Sequence, residues 1–371
     1  MSERLAGASA AVVEEDLEYI VSSLEQELEE MADARVLLTG GAGFLGYYLT
    51  QALARWNERA GSTSQIRLTV YDNYLRGVPD WLADLAKRPG IQLVEHDVTK
   101  PLRSDAGAFE YVVHAASVGS PTFYRRFPIE TMDANVNGLR ILLDHARRQQ
   151  GAGRPVKGFL FLSSSEIYGD PPPEAIPTPE TYRGNVSCTG PRSCYDESKR
   201  FGETLSVTFA RRFGLRVVVV RPFNNYGPGL RLGDRRVVPD FARDVLAGKD
   251  IVMLSDGSAT RTFCYVADAV VGYYKALVRG RPGEAYNIGV EEPEISVAEL
   301  ARRMVEGGRE LFGYSGQIVE QRSDDNEYLI DNPTRRRPDI TKARRELDYD
   351  PVISLDDGIR RSLIWYWEND S

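Results

Sequence analysis

The pattern of hydrophobic and polar residues divides the chain into a short first segment and a long stretch in which apolar runs alternate with helical spacing. From Arg35 onward, several runs are apolar at nearly every position. Continuous apolar runs between helices predict strands that are buried on both faces, as in a parallel sheet covered by helices. Six strands are expected, at 35–40, 66–73, 91–98, 111–117, 158–165 and 215–223. Helices are expected at 47–59, 131–148 and 197–213.

Residues 1–33 show a different pattern. Their apolar residues recur at steps of three and four among many glutamates, at Leu17, Ile20, Val21, Leu24, Leu28 and Met31. This spacing predicts an acidic amphipathic helix. Since the segment has no group suited to chemistry, we expect it to cover an apolar patch on its own domain or on a partner subunit.

Beyond Phe223 the regular alternation gives way to loops rich in Gly, Pro and Arg, followed by short mixed elements. We therefore predict an α/β fold: a Rossmann-type doubly wound parallel sheet, a smaller C-terminal α+β substrate-binding lobe, and an N-terminal helical extension. The Rossmann domain, which would bind the cofactor, is expected at 34–222, with 262–290 returning to it. The lobe is expected at 223–261 and 291–371, over the strand ends where ligands bind in open α/β sheets.

Composition narrows the class of protein. Hydrophobic residues make up 42% of the chain and charged residues 27%, which is ordinary for a soluble globular protein. The net charge of −8 argues against nucleic acid as a partner. No apolar run approaches the length of a membrane span, and the acidic N-terminus is unlike a signal peptide. The three cysteines form no disulfide or metal-ligand pattern, so we expect free thiols in a reducing cytoplasm and no metal site.

Three glycines follow the first predicted strand and open the first helix after it, at Gly40, Gly43 and Gly46. Glycine lets the backbone turn tightly and approach a pyrophosphate, and the helix N-terminus supplies free N–H groups. Asp72 ends the second strand, where a carboxylate accepts hydrogen bonds from an adenosine ribose and repels a 2′-phosphate. These features predict NAD rather than NADP as the cofactor, although nearby Arg76 weakens that preference.

Tyr195 and Lys199 are four residues apart on a predicted helix, so their side chains lie on one face. A phenol has a pKa near ~10, and a nearby ammonium together with the positive nicotinamide ring lowers it. Tyr195 can then act as the base that takes a proton while hydride leaves for NAD. A pair of surface residues on a helix is the alternative.

Three serines and a glutamate close the fifth strand, at Ser163, Ser164, Ser165 and Glu166. Serine hydroxyls at this edge can bond to the oxygen of a reacting sugar, or can satisfy a strand-end turn, which is the expectation for Ser163. A carboxylate beside a hydride-transfer site needs a task or a partner, because burying it alone costs free energy. Glu166 is therefore a candidate general acid or base for a second step.

Several longer motifs together resemble the UDP-glucuronate decarboxylases (UDP-xylose synthases), which are extended short-chain dehydrogenase/reductases. The motifs are GGAGFLG, DNY, SSSEIYGDP, ETYRGN, GPRSCYDESKR, RPFNNYGP, TRTFCYV and RRRPD. The resemblance covers roughly residues 35–365. Its specific parts are GPRSCYDESKR and RRRPD, since the whole superfamily shares the glycine motif and the Tyr195–Lys199 pair.

The resemblance implies an NAD-dependent lyase. NAD would oxidise C4 of UDP-glucuronate, with Tyr195 as base and Lys199 in support. The 4-ketone lies β to the sugar carboxylate, so CO2 can leave, after which C5 is protonated and NADH reduces the ketone to give UDP-xylose. Glu166, Ser165 and Arg336 would surround the carboxylate and C5. One or two of the three arginines in RRRPD would only be solvated.

The motifs and the resemblance together give three sets of expected site residues. The catalytic set is Tyr195, Lys199, Glu166, Ser165, Ser164 and Arg336. The cofactor set is Gly40, Gly43, Phe44, Leu45, Gly46, Asp72, Asn73, Asp97, Val98, Ala115, Ala116, Asn135, Tyr195, Lys199 and Phe223; for Asp97 an adenine contact and a plain turn are both open. The substrate set that the resemblance implies is Tyr124, Arg192, Asn224, Arg236, Val237, Arg261 and Arg336. In it, Arg192 and Arg261 match positions that contact the phosphates or the acidic end of the substrate, and Asn224 matches one near the diphosphate, which needs arginine and backbone N–H groups. A homodimer through the helices at 131–148 and 197–213 is also implied.

Two positions depart from the family pattern. Ser164 replaces the usual threonine, so one methyl group is missing beside the reacting sugar. We hypothesise that some UDP-4-keto-pentose and NADH therefore leave before the ketone is reduced. Leu254 replaces an aromatic residue often found near the uridine, which leaves the base preference open.

Other functions also stay open at this point. A nucleotide-sugar 4,6-dehydratase needs an Asp-Glu pair where this chain has Ser165 and Glu166. A C4 epimerase has no use for Glu166 or Arg336. From another class, a non-catalytic NAD-binding sensor would lose Tyr195 or Lys199, and both are present.

Overall fold

The structure is a computed structural model that describes residues 7–61, 64–103, 106–323, 325, 327 and 330–369. Its strands, in chain order, are β1 (Arg35–Thr39), β2 (Arg67–Asp72), β3 (Ile91–Glu95), β4 (Tyr111–His114), β5 (Gly158–Leu162), β6 (Val217–Pro222), β7 (Asn225–Tyr226), β8 (Ile251–Met253), β9 (Thr260–Arg261), β10 (Cys264–Tyr265), β11 (Ala285–Ile288), β12 (Ile295–Ser296), β13 (Ile318–Glu320) and β14 (Arg335–Arg336). Its α-helices are α1 (Ala8–Ser23), α2 (Glu25–Glu30), α3 (Phe44–Ala60), α4 (Asp80–Leu85), α5 (Pro121–Arg126), α6 (Pro128–Met132), α7 (Leu139–Gly151), α8 (Ser193–Phe213), α9 (Val237–Leu246), α10 (Val266–Arg279), α11 (Val297–Phe312), α12 (Thr341–Leu347) and α13 (Leu355–Asn369). A π-helical turn lies at Asp133–Gly138, and 3₁₀ turns lie at Ser165–Tyr168, Pro173–Ala175 and Leu232–Asp234.

Seven strands form one parallel sheet in the order β3-β2-β1-β4-β5-β6-β11. The register aligns Thr39 with His114 and Leu162 with Val220, so the carboxyl ends of the strands meet at a common edge. The strand order reverses between β1 and β4, and this reversal leaves a crevice at their carboxyl ends. The predicted Rossmann-type doubly wound sheet is confirmed.

Alternate residues of each strand face opposite helical layers. In β1, Val36 and Leu38 pack in one core with residues of α1, α3 and α10, whereas Leu37 packs with residues of α7 and α8. In β6, the four residues 217–220 are all buried and alternate between the same two cores. Because both faces of the sheet are covered, its strands are unbroken apolar runs rather than alternating ones.

The structure shortens the predicted strands and divides one predicted helix. The run 158–165 leaves the strand at its serines, because the Ser164 hydroxyl accepts a hydrogen bond from the Glu166 N–H and caps a 3₁₀ turn. The helix predicted for 131–148 contains a π-helical turn before α7 begins. Helix α8 begins at Ser193, one turn earlier than predicted. Such ends depend on caps and turns, which the spacing of apolar residues does not specify.

The described part of the first segment forms two helices, not the single helix predicted. Helices α1 and α2 are separated at Leu24, and α1 packs against α3, α10 and α13. Leu17 is 8% exposed, and the other five apolar residues that predicted the helix are 0% exposed. Of the two expected surfaces, the segment therefore covers one on its own chain. Residues 1–6 of the predicted helix lie outside the described residues.

A buried carboxylate fixes this first segment in place. Asp16 on α1 is fully buried and accepts hydrogen bonds from the hydroxyls of Tyr48 on α3 and Tyr265 on β10. Its other oxygen accepts a hydrogen bond from Arg361 on α13 at 2.6 Å. One carboxylate thus joins α1 to a helix of the Rossmann layer and to the C-terminal helix.

The chain after β6 is shared between the central sheet and smaller sheets. Strand β7 pairs with β10, β8 pairs with β13, and β9 pairs with β12 and β14. Strand β11 joins the central sheet beside β6, and α10 packs against β5 and β6. The boundaries proposed for the domains stay a prediction. Among the described residues, no helix has the length and apolar character needed to cross a membrane, and no group of acidic, histidine or cysteine side chains is arranged to hold a metal ion.

We expect Asp16→Ala to lower the free energy of unfolding by about 3 kcal/mol, because two buried hydroxyls lose their acceptor and Arg361 loses its buried partner. Asp356→Ala is the control: Asp356 is 71% exposed and pairs with Arg303 at the surface, so its loss should cost less than about 1 kcal/mol. Urea unfolding of both variants measures the difference. Equal losses would show that the buried network contributes no more than a surface ion pair.

Candidate active site

A cleft of about 1680 Å³ runs along the carboxyl edge of the central sheet and is walled on its other side by segments that follow β6. Most of the expected site residues line it, although they come from distant parts of the chain. The expected cofactor contacts in its wall are Gly40, Gly43, Phe44, Leu45, Gly46, Asp72, Asn73, Asp97, Val98, Ala115, Ala116, Tyr195 and Lys199. The expected catalytic and substrate contacts in its wall are Ser164, Ser165, Glu166, Tyr124, Arg192, Asn224, Arg236, Val237, Arg261 and Arg336.

Asn135 and Phe223 are the two expected cofactor contacts that the structure does not bring to the cleft wall. Asn135 is fully buried and donates a hydrogen bond to the Ser198 hydroxyl at 2.9 Å. Phe223 packs against Ile167 and Tyr168. Both side chains therefore support elements that present site residues, namely α8 and the turn after β5.

The loop between β1 and α3 fits a dinucleotide because it brings the backbone and the start of the helix close together. A Cβ atom on Gly46 would lie 2.2 Å from the carbonyl oxygen of Gly41, so only glycine allows α3 to begin this near to β1. Gly43 precedes the helix and lines the cleft, and no side chain caps α3. Its first N–H groups can therefore bind a pyrophosphate.

The loop after β2 holds the expected ribose carboxylate in place. Asp72 accepts hydrogen bonds from the backbone N–H of Ala42 at 3.0 Å and of Tyr74 at 2.9 Å. One side chain thus joins the glycine loop to the end of β2, where an adenosine ribose binds in this type of fold. Arg76, whose positive charge would favour the 2′-phosphate of NADP, forms an ion pair with Asp234 at 2.7 Å. The carboxylate of Asp234 offsets that positive charge. The residues present fit NAD.

Tyr195 and Lys199 lie on one face of α8, as their spacing predicts, and both line the cleft. The ring of Tyr195 stacks on Tyr124 with ring centres 4.9 Å apart. Lys199 Nζ donates to the carbonyl of Leu162 at 2.7 Å and lies 5.7 Å from the centre of the Tyr195 ring. Because both side chains are buried against the end of β5, the alternative of a surface pair does not apply.

Burial dominates the proton affinities of this pair. It lowers the pKa of Lys199 to about 7. It also raises the pKa of Tyr195, although a hydrogen bond with Ser164 and the charge of Arg236 act in the opposite direction. The predicted lowering required a lysine ammonium together with a positive nicotinamide ring, so it stays a prediction, although burial raises the pKa of Tyr195 when the side chains stand alone. The positive charge of a bound nicotinamide ring would add to that of Arg236 in favouring the phenolate.

Glu166 is held between two arginines. Arg336 pairs with both of its carboxylate oxygens and Arg192 pairs with one, and all three side chains are at most 20% exposed. Burial raises the pKa of Glu166, but the two arginines outweigh burial and hold that pKa well below its usual range. Glu166 is therefore an ionised carboxylate at neutral pH. In this state it can accept a proton but does not have one to donate, so the expected role as a general acid is not supported.

The three consecutive arginines of the RRRPD motif separate in the structure. Arg336 is the member that lines the cleft. Arg335 pairs with Glu294 at 2.7 Å, and Arg337 pairs with Glu292 at 3.3 Å. Successive side chains of an extended segment point in opposite directions, so only the middle member of such a run can face the same side as Glu166.

Arg261 supplies a buried positive charge that no described carboxylate pairs with. It is 9% exposed and donates hydrogen bonds to the carbonyls of Pro333 and Thr334. Burial and the neighbouring Arg336 lower its pKa to about 9. Since carbonyl groups hold a guanidinium without neutralising it, this end of the cleft attracts an anion.

One carboxyl group beside this cluster was missed in the sequence. Asp196 follows Tyr195 directly and is buried, with its Oδ2 atom 3.6 Å from Nε of Arg192. The spacing of four residues between Arg192 and Asp196 is a signal that could have indicated an ion pair on a helix.

Comparison with known proteins agrees with this geometry. The model of the NAD dependent epimerase/dehydratase family matches residues 36–289. UDP-glucuronic acid decarboxylase 5 of Arabidopsis thaliana is 38% identical over 330 residues, which cover 88% of each chain. UDP-glucuronic acid decarboxylase 1 of Xenopus tropicalis is 34% identical over 345 residues, which cover 91% of this chain and 73% of that one.

Solved structures share the fold across nearly the whole chain. An epimerase from Methanothermobacter thermautotrophicus is 27% identical with a TM-score of 0.77, over 94% of this chain and 96% of that one. The dTDP-glucose 4,6-dehydratase DesIV of Streptomyces venezuelae, which has NAD bound, is 27% identical with a TM-score of 0.75, over 90% of this chain and 97% of that one. This chain therefore belongs to the NAD dependent epimerase/dehydratase family, and within it to the UDP-glucuronic acid decarboxylases.

Proposed function

We propose that this protein decarboxylates UDP-glucuronate with NAD as its cofactor, and that UDP-xylose is the main product. The observation that supports this function most strongly is the cluster of Arg192, Arg261 and Arg336 in the same cleft as Tyr195 and Lys199. A hydroxyl that is to be oxidised belongs beside the tyrosine, and a carboxylate belongs beside the arginines. UDP-glucuronate has these two groups on adjacent ring carbons.

Oxidation at C4 depends on the buried tyrosine and lysine. Tyr195 takes the proton of the C4 hydroxyl, and Lys199, anchored on the Leu162 carbonyl, places its amino group beside the phenol. NAD held along the glycine loop and Asp72 would supply the acceptor for the C4 hydride and its later return. Tyr124 stacks on the ring of Tyr195, and Ser164 lies near enough to the Tyr195 hydroxyl to act against the rise of its pKa.

Loss of CO2 follows from the position of the ketone. Once C4 is a ketone, the bond from C5 to the carboxylate can break, and its electron pair moves into the ketone as an enolate. Arg192 and Arg336 orient the carboxylate, while Glu166 neutralises part of their charge. If the full charge of both arginines acted on the sugar carboxylate, it would stabilise the bound substrate more than the transition state. The barrier to loss of CO2 would then rise, and the negative charge of Glu166 limits this effect. C5 then takes up a proton from water, and C4 regains hydride while its oxygen takes the proton from Tyr195.

Other functions fit this cleft less well. A 4,6-dehydratase needs an acid next to the glutamate, and here the neighbour is Ser165 while Glu166 is ionised by its arginines. A C4 epimerase turns its ketosugar over, and a sugar carboxylate held by Arg336 on one side opposes that rotation. A non-catalytic sensor has no need for the buried pair of Tyr195 and Lys199.

Incubation with NAD and UDP-glucuronate should release CO2 and form UDP-xylose, detected by mass spectrometry. Tyr195→Phe should lower turnover by about a thousandfold, because the C4 proton then has no acceptor. Tyr111→Phe is the control, since its hydroxyl is buried in β4, has no hydrogen-bond partner among the described residues and does not line the cleft. Absence of CO2 with the wild-type protein would contradict the proposal.

We also propose that part of the 4-ketone intermediate is released. Ser164 accepts a hydrogen bond from the Glu166 N–H and bonds to Tyr195, so it lies where the oxidation and decarboxylation groups meet. A serine in place of threonine leaves the space of one methyl group at this point. A less tightly held ketone can dissociate before hydride returns to it.

Ser164→Thr should lower the ratio of UDP-4-keto-pentose to UDP-xylose by about fourfold, the effect of one buried methyl group worth about 0.8 kcal/mol. The measurement combines mass spectrometry of the products with NADH absorbance. Ser163→Thr adds the same methyl one residue earlier, where the hydroxyl bonds to Glu203, and should leave the ratio unchanged. Wild-type protein that makes UDP-xylose alone, without NADH, would refute partial release.

We place the protein in the cytoplasm. Cys188, Cys194 and Cys264 are free thiols, and Cys188 is exposed. Exposed thiols persist in a reducing compartment and tend to be oxidised outside it.

A homodimer through the helices at 131–148 and 197–213 is also proposed. Large apolar side chains are exposed on the second of these helices, where Phe201 is 50% exposed, and on α6, where Ile129 is 60% exposed and Met132 is 36% exposed. Apolar groups of this size on neighbouring helices suit an interface with a second copy of the chain.

Phe201→Glu should convert the dimer into monomers in sedimentation velocity, because the interface would bury an unpaired charge. Val352→Glu places the same charge at a residue that is 65% exposed and lies outside these helices, and this variant should stay dimeric. A monomeric wild-type protein would contradict the proposed dimer.

A further inference from the structure

Asp196 has no role in the mechanism above, although it is buried beside the arginine cluster. We propose that Asp196 is a positioning residue that sets how much of the Arg192 charge is available to a sugar carboxylate. This inference rests on the proposed function, since the carboxylate in question is that of UDP-glucuronate.

Arg192 lies between two carboxyl groups. Its Nη2 atom pairs with Oε2 of Glu166, and its Nε atom lies 3.6 Å from Oδ2 of Asp196. Arg192 lines the cleft whereas Asp196 does not. Asp196 therefore does not contact a bound sugar itself and acts on one through Arg192, because a guanidinium drawn toward Asp196 gives a weaker contact on the cleft side.

The contact between Asp196 and Arg192 is an incomplete ion pair. A separation of 3.6 Å is too long for a hydrogen bond. Asp196 is only 4% exposed, and both its Oδ1 atom and Nε of Arg192 are buried without a hydrogen-bond partner among the described residues. An ionised carboxylate in this setting is strongly disfavoured, whereas a neutral carboxyl group avoids most of that penalty.

The charges around Asp196 come from several elements. Burial raises the pKa of Asp196 to about 7, and Glu166 raises it too, while Arg192 and Arg336 lower it. The carboxyl group therefore changes its charge near neutral pH. The titratable groups that couple to it lie before and within α8, after β5, in β14 and in α5, and they are Arg192, Cys194, Tyr195, Glu166, Arg336 and Tyr124.

The sign of the effect follows from the charge of Asp196. When pH is below about 7, Asp196 is neutral, so the Arg192 charge acts on Glu166 and on an incoming carboxylate. As pH rises through that value, Asp196 ionises and competes for Arg192, and this end of the cleft loses one net positive charge. The affinity for UDP-glucuronate should then fall, while the affinity for UDP-xylose, which has no carboxylate, should not.

The test measures binding by calorimetry in the presence of NAD, with Tyr195→Phe as the background so that the sugar is not consumed. UDP-glucuronate and UDP-xylose are each titrated at about pH 6 and about pH 8.5, and the ratio of their affinities should fall about tenfold between the two. Taking the ratio cancels effects common to both ligands, such as the ionisation of Lys199. With Asp196→Asn added, the ratio should stay constant, because the amide does not ionise.

Glu197→Gln is the matched control. It removes a carboxylate from the next residue of α8, which is 38% exposed and pairs with Arg200. In this variant the ratio of the two affinities should still fall about tenfold from about pH 6 to about pH 8.5, because the carboxylate of Glu197 pairs with Arg200 and does not face Arg192.

A ratio that is equal at both pH values with Asp196 intact overturns the positioning role, and so does a fall that survives Asp196→Asn. The measurement on intact Asp196 stands even if the amide variant does not fold. Equal loss of both affinities in Asp196→Asn would assign the residue a purely structural role and also overturn the inference. Failure of UDP-glucuronate to bind at either pH, while UDP-xylose binds, would overturn the proposed function together with this inference.

Discussion

The buried ion pairing of Glu166 is the interaction on which the rest of the site depends. Glu166 follows β5, Arg192 precedes α8 and Arg336 lies in β14, so one carboxylate joins three separate segments. Glu166 and Arg336, the first and last of these three residues, are 170 positions apart in the chain. None of these charges could be buried alone, because an unpaired buried charge is strongly disfavoured. Pairing them therefore holds the smaller sheets of the C-terminal region against the edge of the central sheet.

The central sheet explains why cofactor and redox groups meet at this edge. All seven strands are parallel, so the residues that follow them are gathered on one side. The reversal of strand order between β1 and β4 opens the crevice there. Burial of Tyr195 and Lys199 at the same edge excludes water but disfavours their charged forms. The reactivity of the tyrosine is thus linked to the positive charge of a bound cofactor.

The first segment supports the cofactor loop from one face of the sheet, and α8, which presents Tyr195 and Lys199, packs on the other face. Helix α1 lies on α3, the helix whose N-terminus closes the glycine loop, and Asp16 joins it to Tyr48 of that helix. The same carboxylate binds Arg361 of the C-terminal helix. The first and last helices of the described chain therefore brace the layer that supports the cofactor loop, without themselves lining the cleft.

The sequence by itself determined the sheet, the glycine loop and the Tyr195–Lys199 pair, because each depends on residues within one strand, turn or helix face. It also indicated Glu166 and Arg336 as functional residues, because each lies in a motif of the family, but nothing in the sequence showed that the two residues pair. Only the tertiary structure decided that these two form an ion pair, that Glu166 is ionised, and that Asp196 shares its arginine. Those properties depend on burial and on contacts between distant segments, and no local pattern of residues specifies either.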